Sequence, residues 1–138
     1  MLFEGWCVGE PPLKAYEGPY NSRERRDDPD GIWARWSENA LKTVYQDLNA
    51  MLDAILMIKV PSMEVVRQSR WLQEQKLHQR HSGSASNAPL PGLMSKTEVF
   101  EYVALFERHT EHMFTKLVEN CDVLIERDEH FHYRLVRI

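Results

Sequence analysis

Cysteine is scarce in this chain: only Cys7 and Cys121 occur among 138 residues, and their separation matches no metal-ligand spacing. That excludes a disulfide framework and a cysteine-based zinc module. No apolar run reaches the length of a bilayer-spanning helix, and no leader-like segment opens the sequence, so a cytoplasmic protein without a membrane partner is expected. Excess positive charge is lacking too, since 17 Lys and Arg stand against 21 Asp and Glu for a net charge of −4. The one local basic cluster, Arg23, Arg25 and Arg26, is offset by Glu24, Asp27, Asp28 and Asp30, which leaves no electrostatic footprint for nucleic acid. Glycine is sparse at six residues. None belongs to a G-x-x-x-x-G-K-S/T loop, whose backbone N–H groups would cradle nucleotide phosphates. The stretches around Gly83 and Gly92 lack both the lysine and the strand-to-helix context.

What is present suits a single domain over residues 1–138, with 43% hydrophobic residues to build a modest core. Residues 1–4 read as a strand end, and Pro11, Pro12, Gly18 and Pro19 then hold the chain in a loop. Trp33, Trp36, Ala40, Leu41, Val44, Leu48, Met51 and Leu52 recur at spacings of three and four and predict a helix over 33–53. Its start falls at Asp30 or Gly31. The apolar run at 54–60, closed by Pro61, predicts a strand buried on both faces of a parallel sheet. Ser62 is placed to cap a helix over 63–81. The Ser/Gly/Asn/Pro-rich segment that follows predicts a flexible loop over 82–94. Ser95 with Glu98 forms a capping box and opens a helix over 96–119 whose inward residues are Val99, Val103, Phe106, Met113 and Leu117. Two strand-like runs, 122–126 and 132–138, close the chain around a polar turn. Alternating strands and helices argue for a three-layer α/β arrangement, helix-rich with a small, mostly parallel sheet.

Several residues carry chemistry in isolation. Cys7 lies in a glycine-flanked loop and invites a nucleophile reading, but nothing nearby supplies a base, so a small buried thiol is the expectation. Asp28-Pro29-Asp30-Gly31 looks like part of a calcium loop, yet the first ligand and the terminal bidentate glutamate of that pattern cannot both be placed. It is better read as a turn and helix start, with Asp side chains accepting from the first helical N–H groups. The histidine pairs His78/His81, His109/His112 and His130/His132 have spacings that can share a face. No third ligand is marked out, so no metal site is expected.

Four ordered blocks resemble one family. They are Phe3-Glu4-Gly5-Trp6-Cys7-Val8-Gly9; Asp28-Pro29-Asp30-Gly31 followed by Trp33 and Trp36; Pro61-Ser62-Met63-Glu64-Val65-Val66 with Arg70, Gln73 and Glu74; and Met94-Ser95-Lys96-Thr97-Glu98-Val99 with Phe106-Glu107-Arg108-His109-Thr110. Together they are similar to the C-terminal portion of the D-glycerate 3-kinases of bacteria and plants and their P-loop relatives. Ser69 stands where that family has a tryptophan before the arginine, and Trp71 follows it.

The resemblance implies an incomplete P-loop-kinase-like domain from which the phosphate-loop segment is missing. By the same resemblance Glu4 is the acidic residue near magnesium and substrate, and Arg70 is a lid-helix arginine that reaches the phosphates. Trp6, Asp30 and Trp33 lie at the acceptor. The family uses Mg-ATP, but no cofactor is expected for this chain alone, which on this reading does not catalyse by itself. Bland alternatives accompany the two catalytic candidates: a partly solvated carboxylate for Glu4, and an i,i+4 pair with Glu74 for Arg70.

The missing strand would lie between residues 1–4 and 54–60, leaving two strand edges facing a gap, and unpaired edges template association. A homodimer or other self-association is expected. Three functions remain open: a non-catalytic kinase-fold protein, a kinase of a small hydroxy acid or sugar whose N-terminal kinase segment comes from another chain or a missing segment, and an oligomeric binding or regulatory protein.

Overall fold

The computed structural model describes residues 1–81 and 92–138. The described chain is a mixed helix and sheet domain: α1 (Ser22–Asp27), α2 (Ile32–Lys42), α3 (Val44–Asn49), β1 (Leu56–Lys59), α4 (Met63–His81), α5 (Lys96–Ala104), α6 (Glu107–Asn120), β2 (Val123–Arg127) and β3 (Tyr133–Arg137). The strands form one sheet in the order β1-β2-β3.

β1 and β2 run parallel, with Met57 beside Leu124, while β2 and β3 run antiparallel. The sheet is therefore mixed, one pairing of each kind, and not mostly parallel. The cause is connection length: β1 and β2 are joined through three helices, whereas only the turn 128–132 joins β2 to β3, too short for a parallel crossover. Asp128 organises that turn, accepting at Oδ1 from His130 N (2.8 Å) and His132 N (2.9 Å).

The core lies between the sheet and α6, where Met57, Met113, Leu117, Cys121 and Leu124 are buried together. Each of the leucine and methionine side chains contributes roughly 1.5–3 kcal/mol when fully removed from water. On β1 the residues of opposite parity, Leu56 and Ile58, are 55% and 51% exposed. β1 is thus buried on one face, not both, and the second helical layer of a three-layer arrangement is not seen among the described residues.

Three further expectations are corrected. Residues 1–4 form no strand; Met1 and Leu2 are exposed, and the chain turns at 6–9 so that Trp6 packs on helices and not in a sheet. The helix over 33–53 is two helices broken at Thr43 (φ −122°, ψ −99°), whose hydroxyl donates to Asn39 O at 2.8 Å. Such back-bonding by a β-branched hydroxyl residue competes with helix continuation. The helix over 96–119 likewise divides at Leu105 and Phe106, where Phe106 leaves helical geometry (φ −103°, ψ 0°).

Other expectations match. α4 spans the residues foreseen, and Ser95 with Glu98 forms the capping box. Asp28 caps α2, accepting at Oδ1 from Ile32 N (2.7 Å) and at Oδ2 from Ala34 N (2.9 Å). Gly31 starts that helix at φ 65°, where an added Cβ would meet Tyr16 Cζ at 2.2 Å, so only glycine fits. The loop foreseen over 82–94 falls outside the described residues except for 92–94, of which Met94 donates its N–H to Glu74 at 2.8 Å. α1 was not foreseen; Asn21 caps it by accepting from Glu24 N at 2.9 Å.

Candidate functional site

The break between α5 and α6 shapes the region between Trp6 and Arg70. The break frees the Phe106 ring, which stacks on Trp6 with centroids 4.9 Å apart and meets the edge of Tyr102 at 5.4 Å. Tyr102 in turn lies 5.9 Å beneath the Arg70 guanidinium. Trp6 and Arg70, two of the residues named from the sequence, therefore stand at opposite ends of one aromatic run. Trp6 is fixed further by its indole N–H, which donates to Thr110 Oγ1 at 2.9 Å.

Glu4 is exposed and bonds no other described residue. Arg70 pairs with Glu74 at 2.9 Å, the i,i+4 alternative. Glu74 is 1% exposed and also accepts from Met94 N, and that backbone bond, with the help of Arg70 and against burial, holds its carboxyl below the usual range. Any phosphate reaching Arg70 has to compete with this fixed carboxylate.

The first cavity, about 460 Å³, opens at the carboxyl ends of the parallel strands β1 and β2 and is lined by Lys59, Pro61, Arg127, Asp128, His132 and Tyr133 among others. Ligands of α/β sheets bind at this end because helix starts and loops converge there. Arg127 is 9% exposed, donates from Nη2 to Ser69 Oγ at 2.8 Å, and lies 4.4 Å over the Phe131 ring. Its Nε has no hydrogen-bond partner. Phe131 sits at φ 65°, a left-handed conformation disfavoured for an aromatic residue. Lys59 makes no ion pair among the described residues. By contrast Asp128 is engaged by His132 at 3.0 Å and Glu126 by Arg134. Sequence reasoning missed Arg127; its only signal was a lone arginine ending an apolar strand.

The second cavity, also about 460 Å³, lies between α1, α2 and the α5–α6 break, with Arg23, Glu24, Trp33, Trp36, Arg108 and His109 in its wall. Trp33 thus faces a cleft, whereas Asp30 is exposed at the turn before α2, its carbonyl accepting from Arg35. Trp33 and Trp36 are 70% and 63% exposed. Glu10, 1% exposed, accepts from His109 Nδ1 at 3.0 Å with either oxygen. Its charge, together with burial as the larger cause, pushes the Cys7 thiol up to about 12. His112 meets Pro11 O at 3.2 Å, so the two histidines of that pair have separate partners. Among the described residues no group of three His, Cys, Asp or Glu could hold a metal ion, and no helix is long and apolar enough to cross a membrane.

No family model matches the chain, and no curated protein or solved structure matches it significantly.

Proposed function

We propose that the chain is a phosphate-binding unit of glycerate-kinase-like type that does not transfer phosphate by itself. The class comes from the four sequence blocks. The observation that supports it is Arg127, a largely buried guanidinium that lines the cavity at the carboxyl ends of two parallel strands and pairs with no carboxylate among the described residues. A buried cation without a counter-charge is unfavourable, and a phosphate entering the cavity would supply one. Lys59 supplies a second cation at the same cavity. On this reading Arg127 outranks Arg70 as the phosphate contact, because Arg70 is already committed to Glu74.

The magnesium of Mg-ATP fits less well. Asp128 and Glu126, the carboxylates of the cavity, are engaged by His132 and Arg134, so no step is derived through the metal. Phosphoryl transfer also needs a cradle of backbone N–H groups that the sequence does not contain.

A second reading, an oligomeric binding or regulatory protein, is favoured by the outer edge of β1, whose only ladder partner among the described residues is β2. The same edge is where a strand from another chain bearing a phosphate loop would add.

Calorimetric titration of ATP, with and without magnesium, tests the phosphate reading. Saturable binding that Arg127→Gln weakens about tenfold, with a smaller loss in Lys59→Gln, is the expected result. Circular dichroism of both variants guards against misfolding, and Lys59→Gln changes a partly exposed side chain. No heat up to a few millimolar nucleotide would overturn the reading.

A further inference from the structure

The cavity beside α2 carries a different chemistry from the phosphate cavity. Its wall holds a carboxylate–imidazole pair in which both oxygens of fully buried Glu10 face His109 Nδ1 at 3.0 Å. Burial of a carboxylate without full pairing is unfavourable, so Glu10 fixes the Nδ1 proton in place. The ring nitrogen left over is Nε2, which has no hydrogen-bond partner among the described residues and belongs to a side chain lining the cleft. An imidazole with Nδ1–H committed to a carboxylate presents Nε2 as an acceptor.

The remaining wall decides what that acceptor meets. Trp33 and Trp36 are exposed indoles on successive turns of α2, an apolar platform for C–H faces. Arg108 is paired with Glu24 at 2.6 Å, and Arg23 with Asp27 and Glu101. Asp28 is consumed in capping α2. The charged groups are thus paired among themselves, and carboxylates slightly outnumber arginines, so an anion gains little here. A neutral ligand rich in hydroxyls, donating one to Nε2 and laying its carbon face on an indole, satisfies this wall.

We propose that the cleft between α1, α2 and the α5–α6 break binds an uncharged polyol or sugar, with His109 as the hydroxyl acceptor and Glu10 as its positioning residue. This site is independent of the phosphate reading, since its ligand carries no phosphate and touches neither Arg127 nor Lys59.

The test is a titration of the nitrogen-labelled protein with glycerol, erythritol and ribose, followed by NMR at the histidine imidazole nitrogens. A saturable shift of His109 Nε2 without a matching shift at His112 is the expected result. Trp36→Ala, an exposed change that leaves the fold intact, should weaken binding about fivefold or more, while Arg127→Gln should leave it unchanged. Absence of saturation at His109 with all three ligands, or saturation indifferent to Trp36→Ala, overturns the proposal. Because Arg127→Gln is the variant that damages nucleotide binding, failure at one cavity is distinguishable from failure at the other.

Discussion

Arg108 grips Glu24 with two nitrogens, Nε to Oε1 at 3.0 Å and Nη2 to Oε2 at 2.6 Å, and so ties α6 to α1. The same Nη2 donates to Gly18 O at 2.7 Å, fastening the loop that leads into α1. Both side chains are about four-fifths buried, at 16% and 17% exposure. Burial alone would raise the Glu24 carboxyl, but the hydrogen bonds from Arg108 and Tyr20 N and the nearby guanidinium outweigh it, so the group lies below the usual carboxylate range.

Arg108→Ala is therefore expected to destabilise the fold by about 2–3 kcal/mol near neutral pH, toward the low end for a buried pair because some solvent reaches it. The sign with pH follows from the lowered carboxyl. Its contribution is present in full above the ordinary carboxylate pKa and is lost as pH falls through the lower folded value. Urea denaturation of both proteins at neutral pH and in acid checks this. The gap between them should shrink in acid, and a gap that widens would contradict the assignment.

The capping box gives a smaller, cleaner prediction. Ser95 Oγ accepts from Glu98 N at 3.3 Å, and Glu98 Oε2 accepts in turn from Ser95 N at 2.7 Å. Ser95→Ala should cost about 1 kcal/mol, seen as a fall in Tm of about 3–6 °C for a domain of this size. Ser95→Asp, which keeps an acceptor at the cap, should stay within about 0.5 kcal/mol of the parent. Equal loss in both variants would mean that the box adds nothing to α5.

That box was legible from sequence because it is local: four consecutive residues specify both hydrogen bonds. Asp28 as a helix-start acceptor and α4 over 63–81 were legible for the same reason. The helix breaks at Thr43 and at Phe106 were not, since apolar spacing of three and four runs through both and periodicity is blind to one residue leaving helical geometry. Phe106 turns out to meet Trp6, a partner a hundred positions away in the chain. The pairing of Glu10 with His109 is just as remote. Glu10 stood beside prolines with no pattern to mark it, and His109 drew notice as half of a histidine pair and as one position of a resemblance block, with nothing to link it to Glu10. Arg127 was hidden more thoroughly, because its meaning lies in burial and in a missing partner, neither of which one sequence reveals.

Cys7 yields a third prediction. Burial and the neighbouring Glu10 charge push its thiol up to about 12. At a pH of about 8 the thiolate is then roughly one part in ten thousand, so native protein should react with disulfide reagents only slowly. Cys121 is 4% exposed and packed in the core, which shields it as well. Two thiols per chain should appear on denaturation, and Glu10→Gln should quicken the native reaction modestly by removing one unfavourable charge. A fast native thiol in the parent protein would show that Cys7 is neither desolvated nor beside that charge.

The last prediction concerns the open edge of β1. Leu56 and Ile58 are half exposed on the face that the described helices leave bare, and the far edge of the strand has no ladder partner among the described residues. A short apolar edge strand templates pairing with another chain, and Lys59 is the only charge on it. We therefore expect a dimer at micromolar concentration in sedimentation velocity. Ile58→Lys places a charge on the exposed face without touching Met57, which carries the contact with α6, so it should shift the population to monomer while circular dichroism stays unchanged. A compact monomer for the parent protein would remove the edge as an association site. A dimer indifferent to Ile58→Lys would move the interface elsewhere, with the exposed β3 residues Tyr133 and Leu135 the next to substitute.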